Sequence, residues 1–369
     1  MRFALARLGR GLDAAGGGLV LALALTPLAR AAGRRFDVVD RPDGRRKLHA
    51  SAVPRLGGLA VLLSFACAFA AVALLPGAAI FGEVEWTAAL HLLVATAAVA
   101  IVGLADDVVG IGPWTKLLAQ VAAGLYLFNH GYAVFLVSNP LGEPLALGWS
   151  SLPLTVLWIV AVSNAFNLID GLDGLAAGVG ISASAVVFAF AVLNERWEIA
   201  LLAAALAGAL FGFLRYNFSP ASIFLGDAGS LSVGLVLAAL SLRGSVKGSM
   251  AVTLVAPLLA LGFPIVDTLM AMLRRMLGGR SILEADADHI HHRMLRMGMS
   301  ARQAVVMLYG FTALFGMIGL LAATAHTEIV GVAVVSFTAV TWAGIRRLAV
   351  VAPPPAAPIA RAPARTEVS

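Results

Sequence analysis

Residues 151–174 read SLPLTVLWIVAVSNAFNLIDGLDG, and this stretch decides the fold class. It begins with uncharged, mostly apolar residues up to residue 169, close to the ~20 residues that a helix needs to cross a bilayer. Two asparagines, Asn164 and Asn167, lie near the end of this run, and two aspartates, Asp170 and Asp173, follow it. Ionisable groups near membrane depth cost several kcal/mol unless they are paired or hydrated, so such groups usually mark function. The stretch therefore predicts a membrane helix that carries a functional site at its end.

Similar apolar runs fill most of the chain. Its 369 residues are 60% hydrophobic and 12% charged, whereas soluble proteins average about 45–50% apolar and about 25% charged residues. We predict an all-α polytopic membrane protein with about eleven transmembrane helices, or ten if one short run does not span. The predicted spans are residues 15–32, 56–75, 87–105, 115–137, 151–168, 174–193, 198–214, 228–242, 250–273, 303–323 and 329–345.

The domain organisation follows from the same runs. Residues 1–350 are predicted to form a single membrane domain, whose motifs lie within residues 33–300. Residues 351–369 are rich in proline and alanine and are predicted to be a disordered cytoplasmic tail. Cys67 is the sole cysteine, which excludes an intramolecular disulfide and a cysteine-based metal cluster. Few aromatic residues accompany the basic residues, so nucleic acid is not an expected partner.

Basic residues predict the orientation. Segment 33–55 carries seven lysines and arginines and segment 274–302 carries six, whereas loops 76–86, 138–150 and 324–328 carry none. Loops rich in Lys and Arg stay in the cytoplasm. All of the polar clusters fall at span ends on this predicted cytoplasmic side, which indicates one shared site. These clusters are residues 40–58, 106–120, 164–174, 217–230 and 286–293.

The chemistry of these clusters predicts a magnesium-dependent phosphoryl transfer. Several carboxylates at similar depth would repel one another, and a divalent cation relieves that repulsion. Mg²⁺ prefers oxygen ligands and is usually held by one or two carboxylates together with substrate phosphates; Mn²⁺ is an alternative. Basic residues nearby suit a polyanionic substrate. The acids are Asp106, Asp107, Asp170, Asp173 and Asp227, and the basic residues include Lys47, Arg45, Arg46, Arg55, Lys116 and Arg293.

Four motifs in order carry a resemblance to a known family: Asp-Asp at 106–107, NAFNLIDGLDG at 164–174, FLGDAGS at 224–230 and HIHH at 289–292. The chain resembles the bacterial polyprenyl-phosphate N-acetylhexosamine-1-phosphate transferases. This resemblance implies transfer of a sugar phosphate from a UDP-N-acetylhexosamine to undecaprenyl or another polyprenyl phosphate, with release of UMP. It further implies an enzyme of the bacterial inner membrane that acts at the cytoplasmic face, in the first membrane step of cell-envelope polysaccharide synthesis. Dimers occur in the family, so a homodimer stays open.

The resemblance also implies roles for individual residues. Asp227 corresponds to the principal magnesium ligand and Asn167 to a second one. Asp106 and Asp107 match the acidic pair near the lipid phosphate, and one of them is expected to keep it deprotonated. Asp170 and Asp173 match acids that organise the nucleotide pocket, and Phe224 matches the aromatic residue that stacks on uracil. The remaining expected substrate-binding residues are Lys47, His49, Arg55, Asn164, His289, His291, His292 and Arg293.

Two alternatives remain at this stage. The peptidoglycan enzyme that transfers phospho-MurNAc-pentapeptide belongs to the same superfamily, but it typically has three consecutive histidines where this chain has His289-Ile290-His291-His292. The histidine pattern of this chain favours the branch of the family that transfers GlcNAc-1-phosphate. A polytopic transporter would also contain intramembrane acids, but transporters usually place them near the midplane within a repeated fold, and no repeat is visible here.

Overall fold

The computed structural model describes residues 2–41, 52–74, 86–137, 145–243 and 290–324, together with Gly262 and Ile265. Helices dominate these residues. They are α1 (Arg2–Arg35), α2 (Gly57–Leu74), α3 (Trp86–Val109), α4 (Pro113–Asn129), α5 (Ser151–Ile169), α6 (Leu175–Leu193), α7 (Trp197–Asn217), α8 (Gly226–Arg243), α9 (Ile290–Arg296) and α10 (Ala301–Thr324).

Seven stretches of the described residues are long and apolar enough to cross a membrane. They are Ala6–Arg35, Gly57–Leu74, Trp86–Val109, Gly148–Ile169, Leu175–Leu193, Trp197–Asn217 and Ala301–Leu321. The all-α polytopic class is therefore confirmed, but the predicted count of about eleven spans is not. The predicted span 329–345, the predicted tail 351–369 and all of the predicted span 250–273 except Gly262 and Ile265 lie outside the described residues.

Helix α4 is shorter than its predicted span 115–137. It ends at Asn129, and the backbone amide of His130 bonds back to the carbonyl of Leu127. Gly131 follows with φ +86, a left-handed conformation that glycine adopts without steric cost and that terminates helices. Hydropathy continues through residues 132–137, so the sequence pattern missed this turn.

Helix α8 lies at the centre of the bundle. Every residue from Ala228 to Leu242 is buried, whereas other helices expose large apolar side chains such as Leu63 and Leu157. Helices α2, α3 and α5 pack against α8, and α1 packs along α7. In a membrane protein the exposed apolar residues face lipid, so a helix buried on all sides is surrounded by protein.

Small residues let the backbone of α8 approach its neighbours closely. A Cβ added to Gly103 of α3 would lie 2.6 Å from the Cα of Ala228. A Cβ on Gly229 would lie 2.6 Å from the Cα of Gly58 in α2. Glycine is the residue that permits such contact between helices in membranes. These contacts hold the first turn of α8 directly against α2 and α3.

Two short antiparallel hairpins complete the described structure. Strand β1 (Val39–Asp40) pairs with β2 (Val53–Pro54), and strand β3 (Leu136–Val137) pairs with β4 (Leu145–Ala146). The first hairpin lies at the same end of the bundle as the beginning of α8, because the amide of Phe224 donates to the carbonyl of Pro54 over 2.7 Å. The chain just before α8 is thereby tied to the segment that leads into α2.

Candidate active site at the ends of α3, α4, α5 and α8

The predicted acidic residues meet at one end of the bundle. Helices α3 and α5 end there, and α4, α6 and α8 begin there. Asp106 and Asp107 lie in the last turn of α3, Asp170 follows α5, and Asp227 lies in the first turn of α8. Residues separated by 120 positions in the chain are therefore neighbours.

Asp107 binds the beginning of α8. Its Oδ1 accepts a hydrogen bond from the amide of Asp227, and its Oδ2 accepts one from the amide of Ala228, each over 3.0 Å. The first amides of a helix have no partner within the helix and favour a negative charge nearby. Asp107 thus caps α8 from another helix and holds Asp227 in place.

Lys116 joins two of the acids. Its Nζ lies 2.7 Å from Asp227 Oδ2 and 3.1 Å from Asp106 Oδ2. It comes from the first turn of α4, directly after the turn at residues 110–112 that reverses the chain after α3. All three side chains are between 18% and 24% exposed, so this is a half-buried charge cluster that remains open to a ligand.

Gly226 allows the capping contact. Its φ is +73, which side-chain-bearing residues rarely adopt. A Cβ there would also lie 2.6 Å from Asp107 Oδ2 and would collide with the carbonyl oxygen of Arg55. The glycine of the FLGD motif is therefore required by its backbone conformation and by the close packing of Asp107 and Arg55.

The two asparagines of α5 make different contacts. Asn167 Oδ1 lies 2.8 Å from Ser230 Oγ in the second turn of α8. Asn164, one turn deeper, donates to Gln120 Oε1 in α4 over 2.6 Å. Asn167 therefore faces the acid cluster at the beginning of α8, whereas Asn164 connects α5 with α4 beneath it.

Asp170 is the acid without a partner in the described part of the chain. It is half-buried, and its carboxylate makes no hydrogen bond or ion pair with any described residue. Burial raises the pKa of the Asp170 carboxyl well above its ordinary value, and the negative charges of Asp227, Asp107 and Asp173 raise it further. A cation bound here would relieve this repulsion.

Asp173 and Asn217 position the segment before α8. Asp173 Oδ2 accepts a hydrogen bond from the amide of Ala221 over 2.9 Å. Asn217, which is buried, donates to the carbonyl of Ile223 over 2.9 Å and accepts from the amide of Gly174 over 3.1 Å. Both contacts join the NLIDGLDG motif to residues 218–225, which lead through Phe224 to Asp227.

Arg55 lies at the edge of the same site. Its guanidinium forms an ion pair with Asp40 across the first hairpin, and its carbonyl packs against Gly226. In the sequence, the predicted residues Lys47 and His49 lie between the two strands of this hairpin. Those two residues lie outside the described residues, so their contacts stay predictions.

Comparison with known proteins agrees with this geometry. The sequence model of glycosyl transferase family 4 matches residues 89–245, which run from α3 to just past the end of α8 and contain all five acids of the site and Lys116. A Bacillus subtilis protein named as a probable undecaprenyl-phosphate N-acetylglucosaminyl 1-phosphate transferase is 37% identical over 292 residues, covering 79% of this chain and 79% of that protein. This chain belongs to glycosyl transferase family 4.

Other relatives have similar names. A decaprenyl-phosphate N-acetylglucosaminephosphotransferase of Mycolicibacterium smegmatis is 37% identical over 297 residues, which cover 74% of this chain and 73% of the relative. An undecaprenyl-phosphate alpha-N-acetylglucosaminyl 1-phosphate transferase of Escherichia coli K12 is 27% identical over 308 residues, covering 81% and 80%. The resemblance read from the motifs, including its GlcNAc-1-phosphate branch, is confirmed.

The structure brings most predicted site residues of this family 4 chain to one end of the bundle. Those residues are Asp106, Asp107, Asp170, Asp173, Asp227, Asn164, Asn167, Arg55 and Phe224. His289 lies outside the described residues. His291, His292 and Arg293 lie on α9, and the side chains of the two histidines are not described. The substrate contacts of this histidine segment therefore stay predictions.

Sequence reasoning did not predict three contacts in the family 4 site. The sequence places Lys116 among the residues that suit a polyanion, but it does not predict the pairing of Lys116 with Asp106 and Asp227. Ser230 and Gln120, which contact Asn167 and Asn164, were not singled out either. The sequence signal that could have identified Ser230 and Gln120 is their position inside the polar clusters 217–230 and 106–120. Their partners come from other helices, so local spacing does not reveal them.

The donor set in this family 4 site fits a magnesium ion completed by substrate. Among the described residues, no group of three or more His, Cys, Asp or Glu side chains is arranged to hold a metal by itself. Carboxylate oxygens of Asp227 and Asp106 nevertheless face one shared cation, the Lys116 ammonium. Mg²⁺ usually needs one or two carboxylates and takes its other ligands from phosphates and water. The site suits such a partly protein-bound ion.

Proposed function

We propose that this chain transfers N-acetylglucosamine-1-phosphate from UDP-GlcNAc to undecaprenyl phosphate and releases UMP. The observation that carries the proposal is the meeting of Asp106, Asp107, Asp170 and Asp227 at one end of a membrane helix bundle, where Lys116 pairs with Asp106 and Asp227. The relatives named for this transfer support both the acceptor and the sugar. They also disfavour the alternatives of phospho-MurNAc-pentapeptide transfer and of a transporter.

The location of the site follows from the charges of the loops. The acid cluster lies at the end of the bundle where α1 reaches its basic last turn, Arg34 and Arg35. Basic flanks remain cytoplasmic, so the site faces the cytoplasm of a bacterial inner membrane. A soluble nucleotide sugar and a lipid phosphate would meet at this level. The reaction would be the first membrane step of a cell-envelope polysaccharide, and a homodimer remains a prediction.

Asp227 and Asn167 would hold the magnesium ion. When bound, the ion supplies charge compensation for the diphosphate and for the departing UMP. Asp107 orients Asp227 by holding the first turn of α8. Lys116 offers an ammonium group that pairs with Asp227 in the free protein and is free to contact a substrate phosphate once that carboxylate has another cation.

The transfer itself is one displacement at phosphorus. An oxygen of the lipid phosphate attacks the β-phosphorus of UDP-GlcNAc, and the bond from that phosphorus to the bridging oxygen of UMP breaks. The phosphate monoester has a second pKa of about 6 and is largely dianionic at neutral pH. Asp106 or Asp107 therefore needs to remove a proton from only a small fraction of the lipid phosphate. Phe224 and Asp173 position the uridine, since they lie on segments joined by the Asp173–Ala221 hydrogen bond.

Release of UMP by the purified protein tests this proposal. We expect release with undecaprenyl phosphate, Mg²⁺ and UDP-GlcNAc, and little with UDP-GalNAc or UDP-MurNAc-pentapeptide supplied separately. Asp227→Asn should lower turnover about 10²–10³-fold, the range seen when one transition-state-stabilising group is removed. Omitting Mg²⁺ should abolish release.

The matched control is Asp13→Asn. Asp13 is exposed on α1 near the opposite end of the bundle, so the same substitution there should leave turnover unchanged. Full activity of Asp227→Asn, or UMP release with UDP-MurNAc-pentapeptide alone, would contradict the proposal.

A further inference from the structure

A second polar pocket lies beside the acid cluster and has the opposite charge. Its volume is about 560 Å³, and its lining includes Arg30, Arg215, Arg302, Tyr216, Ser219 and Ser222. The arginines come from three different helices, α1, α7 and α10, and the serines come from the segment between α7 and α8. Among the residues that the structure describes, no aspartate or glutamate lines it.

The arginines are held in place but not neutralised. Arg30 Nη1 donates to Ser222 Oγ over 3.3 Å, and its guanidinium lies over the ring of Tyr216 at 5.9 Å from the centroid. Arg302 Nε donates to the carbonyl of Ser219 over 2.9 Å. Arg215 has no partner among the described residues, and no described carboxylate pairs with any of the three. Three guanidinium groups around one cavity create a site for an anion.

This pocket is separate from the acid cluster. The acids lie on α3, directly after α5 and on α8, and Lys116 lies on α4, whereas the pocket is built on α1, α7 and α10. The segment between α7 and α8 separates the two: Ser219 and Ser222 line the pocket, while the amide of Ala221 bonds to Asp173. The pocket is therefore not a part of the site proposed for UDP-GlcNAc.

The depth of the pocket indicates a lipid. Leu28 and Phe211, which lie within one turn of Arg30 and Arg215 on their helices, are 64% and 59% exposed. Large apolar side chains exposed on membrane-spanning helices face acyl chains. The arginines come next along each helix, so they lie at the level of the lipid headgroups. Phosphates of anionic lipids attract arginines at this level.

We propose that Arg30, Arg215 and Arg302 bind the phosphate group of an anionic phospholipid. The phosphate enters the pocket beside Ser219 and Ser222, and the acyl chains pass along the surface around Leu28 and Phe211. Inorganic phosphate shares the same binding chemistry, so the experiment must distinguish the two sources. The site goes beyond the proposed transferase activity and does not depend on it.

Lipid titration of the full-length protein tests the proposal. The protein is purified in a neutral detergent, and dioleoyl-phosphatidylglycerol or dioleoyl-phosphatidylcholine is added while bound lipid is counted by native mass spectrometry. We expect one phosphatidylglycerol to bind preferentially to the wild-type protein. Arg302→Gln and Arg215→Gln should each weaken that binding about tenfold or more. Binding of phosphatidylcholine should be weak and equal in all variants.

The matched control is Arg35→Gln, which removes an exposed arginine from the last turn of α1 outside the pocket. It should bind phosphatidylglycerol as the wild-type protein does. Both test arginines are exposed, and a thermal unfolding temperature equal to that of the wild type before lipid is added verifies that each variant is folded. An equal loss in the control would overturn the pocket assignment. Full displacement of the lipid by millimolar inorganic phosphate would overturn the lipid assignment.

Discussion

At the residue scale, the structure gives Asp107 a more specific role than its motif does. Both of its carboxylate oxygens accept amides from the first turn of α8. A residue used in this way positions Asp227, and this role explains why an acid is needed beside Asp106. The sequence predicted that both acids belong to the site but could not assign their different partners, Lys116 for Asp106 and α8 for Asp107.

The substitution Asp107→Asn tests the positioning role. An asparagine would place an NH₂ group against one of the two amide donors, so a charged hydrogen bond is lost and the variant should be destabilised by about 1–3 kcal/mol. We expect a lower unfolding temperature together with weaker UDP-GlcNAc binding and lower turnover. Lost turnover with unchanged stability and unchanged nucleotide binding would instead indicate a general base.

The Asp170 carboxyl is expected to lower the stability of the folded protein as the pH rises. Its pKa is raised above the unfolded value, so the folded protein favours the protonated form and loses stability as pH rises from the unfolded pKa towards the folded one. Asp170→Asn removes this loss. In EDTA, the variant should therefore unfold at a higher temperature than the wild type at pH 8, with a smaller difference at pH 5.

Turnover of Asp170→Asn should fall, because the carboxylate charge that lowers stability in the absence of metal also attracts the magnesium ion. Mg²⁺ is expected to raise the unfolding temperature of the wild type more than that of Asp170→Asn. An equal response of the two proteins to Mg²⁺, or a variant that is less stable than the wild type in EDTA at pH 8, would contradict this account.

At the scale of elements, the site depends on how closely three helices pack. Gly103 precedes Asp107 by one turn of α3 and contacts the backbone of Ala228, so the small residue and the capping acid face the same turn of α8. Gly58 and Gly229 bring α2 and α8 together in the same way. The capping distance of 3.0 Å exists because the helices approach one another at these glycines.

Gly103→Ala tests this packing. The added methyl group would lie 2.6 Å from the Ala228 backbone, and overpacking of this kind costs about 1–3 kcal/mol. We expect reduced thermal stability and reduced turnover, since α8 must move away from Asp107. The control is Gly16→Ala in α1, where an added Cβ meets nothing within 4 Å. That change should be neutral or stabilising because alanine favours helix.

At the scale of the whole molecule, the sidedness of the site is a prediction that chemical labelling can check. Cys67 is the sole cysteine of the chain, so Cys67→Ala provides a background without thiols. Met297 lies at the end of the bundle where α10 begins, and Trp149, 89% exposed, lies at the opposite end before α5. Single cysteines at these two positions report opposite faces.

A membrane-impermeant maleimide should label Trp149→Cys in cells whose inner membrane is intact. It should label Met297→Cys only after that membrane is opened, because the basic loops hold this end in the cytoplasm. The reverse pattern would place the acid cluster on the outer face and would exclude access to a cytoplasmic nucleotide sugar.

The sequence by itself determined the class of protein, the positions of the nearly uncharged spans, and which residues belong to the polar clusters at the span ends. It did so because lipid demands long apolar runs and because isolated charges at membrane depth are costly. Nine of the predicted spans coincide with described helices, and the end of α4 was misplaced because a turn through Gly131 leaves the hydropathy unchanged.

Only the tertiary structure decided which side chains meet. Three sets of contacts join residues that are far apart in the chain, by as many as 192 positions for Arg30 and Ser222. They are the bonds of Asp107 to α8, the bridging of Asp106 and Asp227 by Lys116, and the arginine pocket between α1, α7 and α10. Such contacts depend on how the helices pack, and the helices pack closely only where small residues such as glycine let their backbones approach one another. Periodicity along one helix contains no information about the neighbour that it will touch.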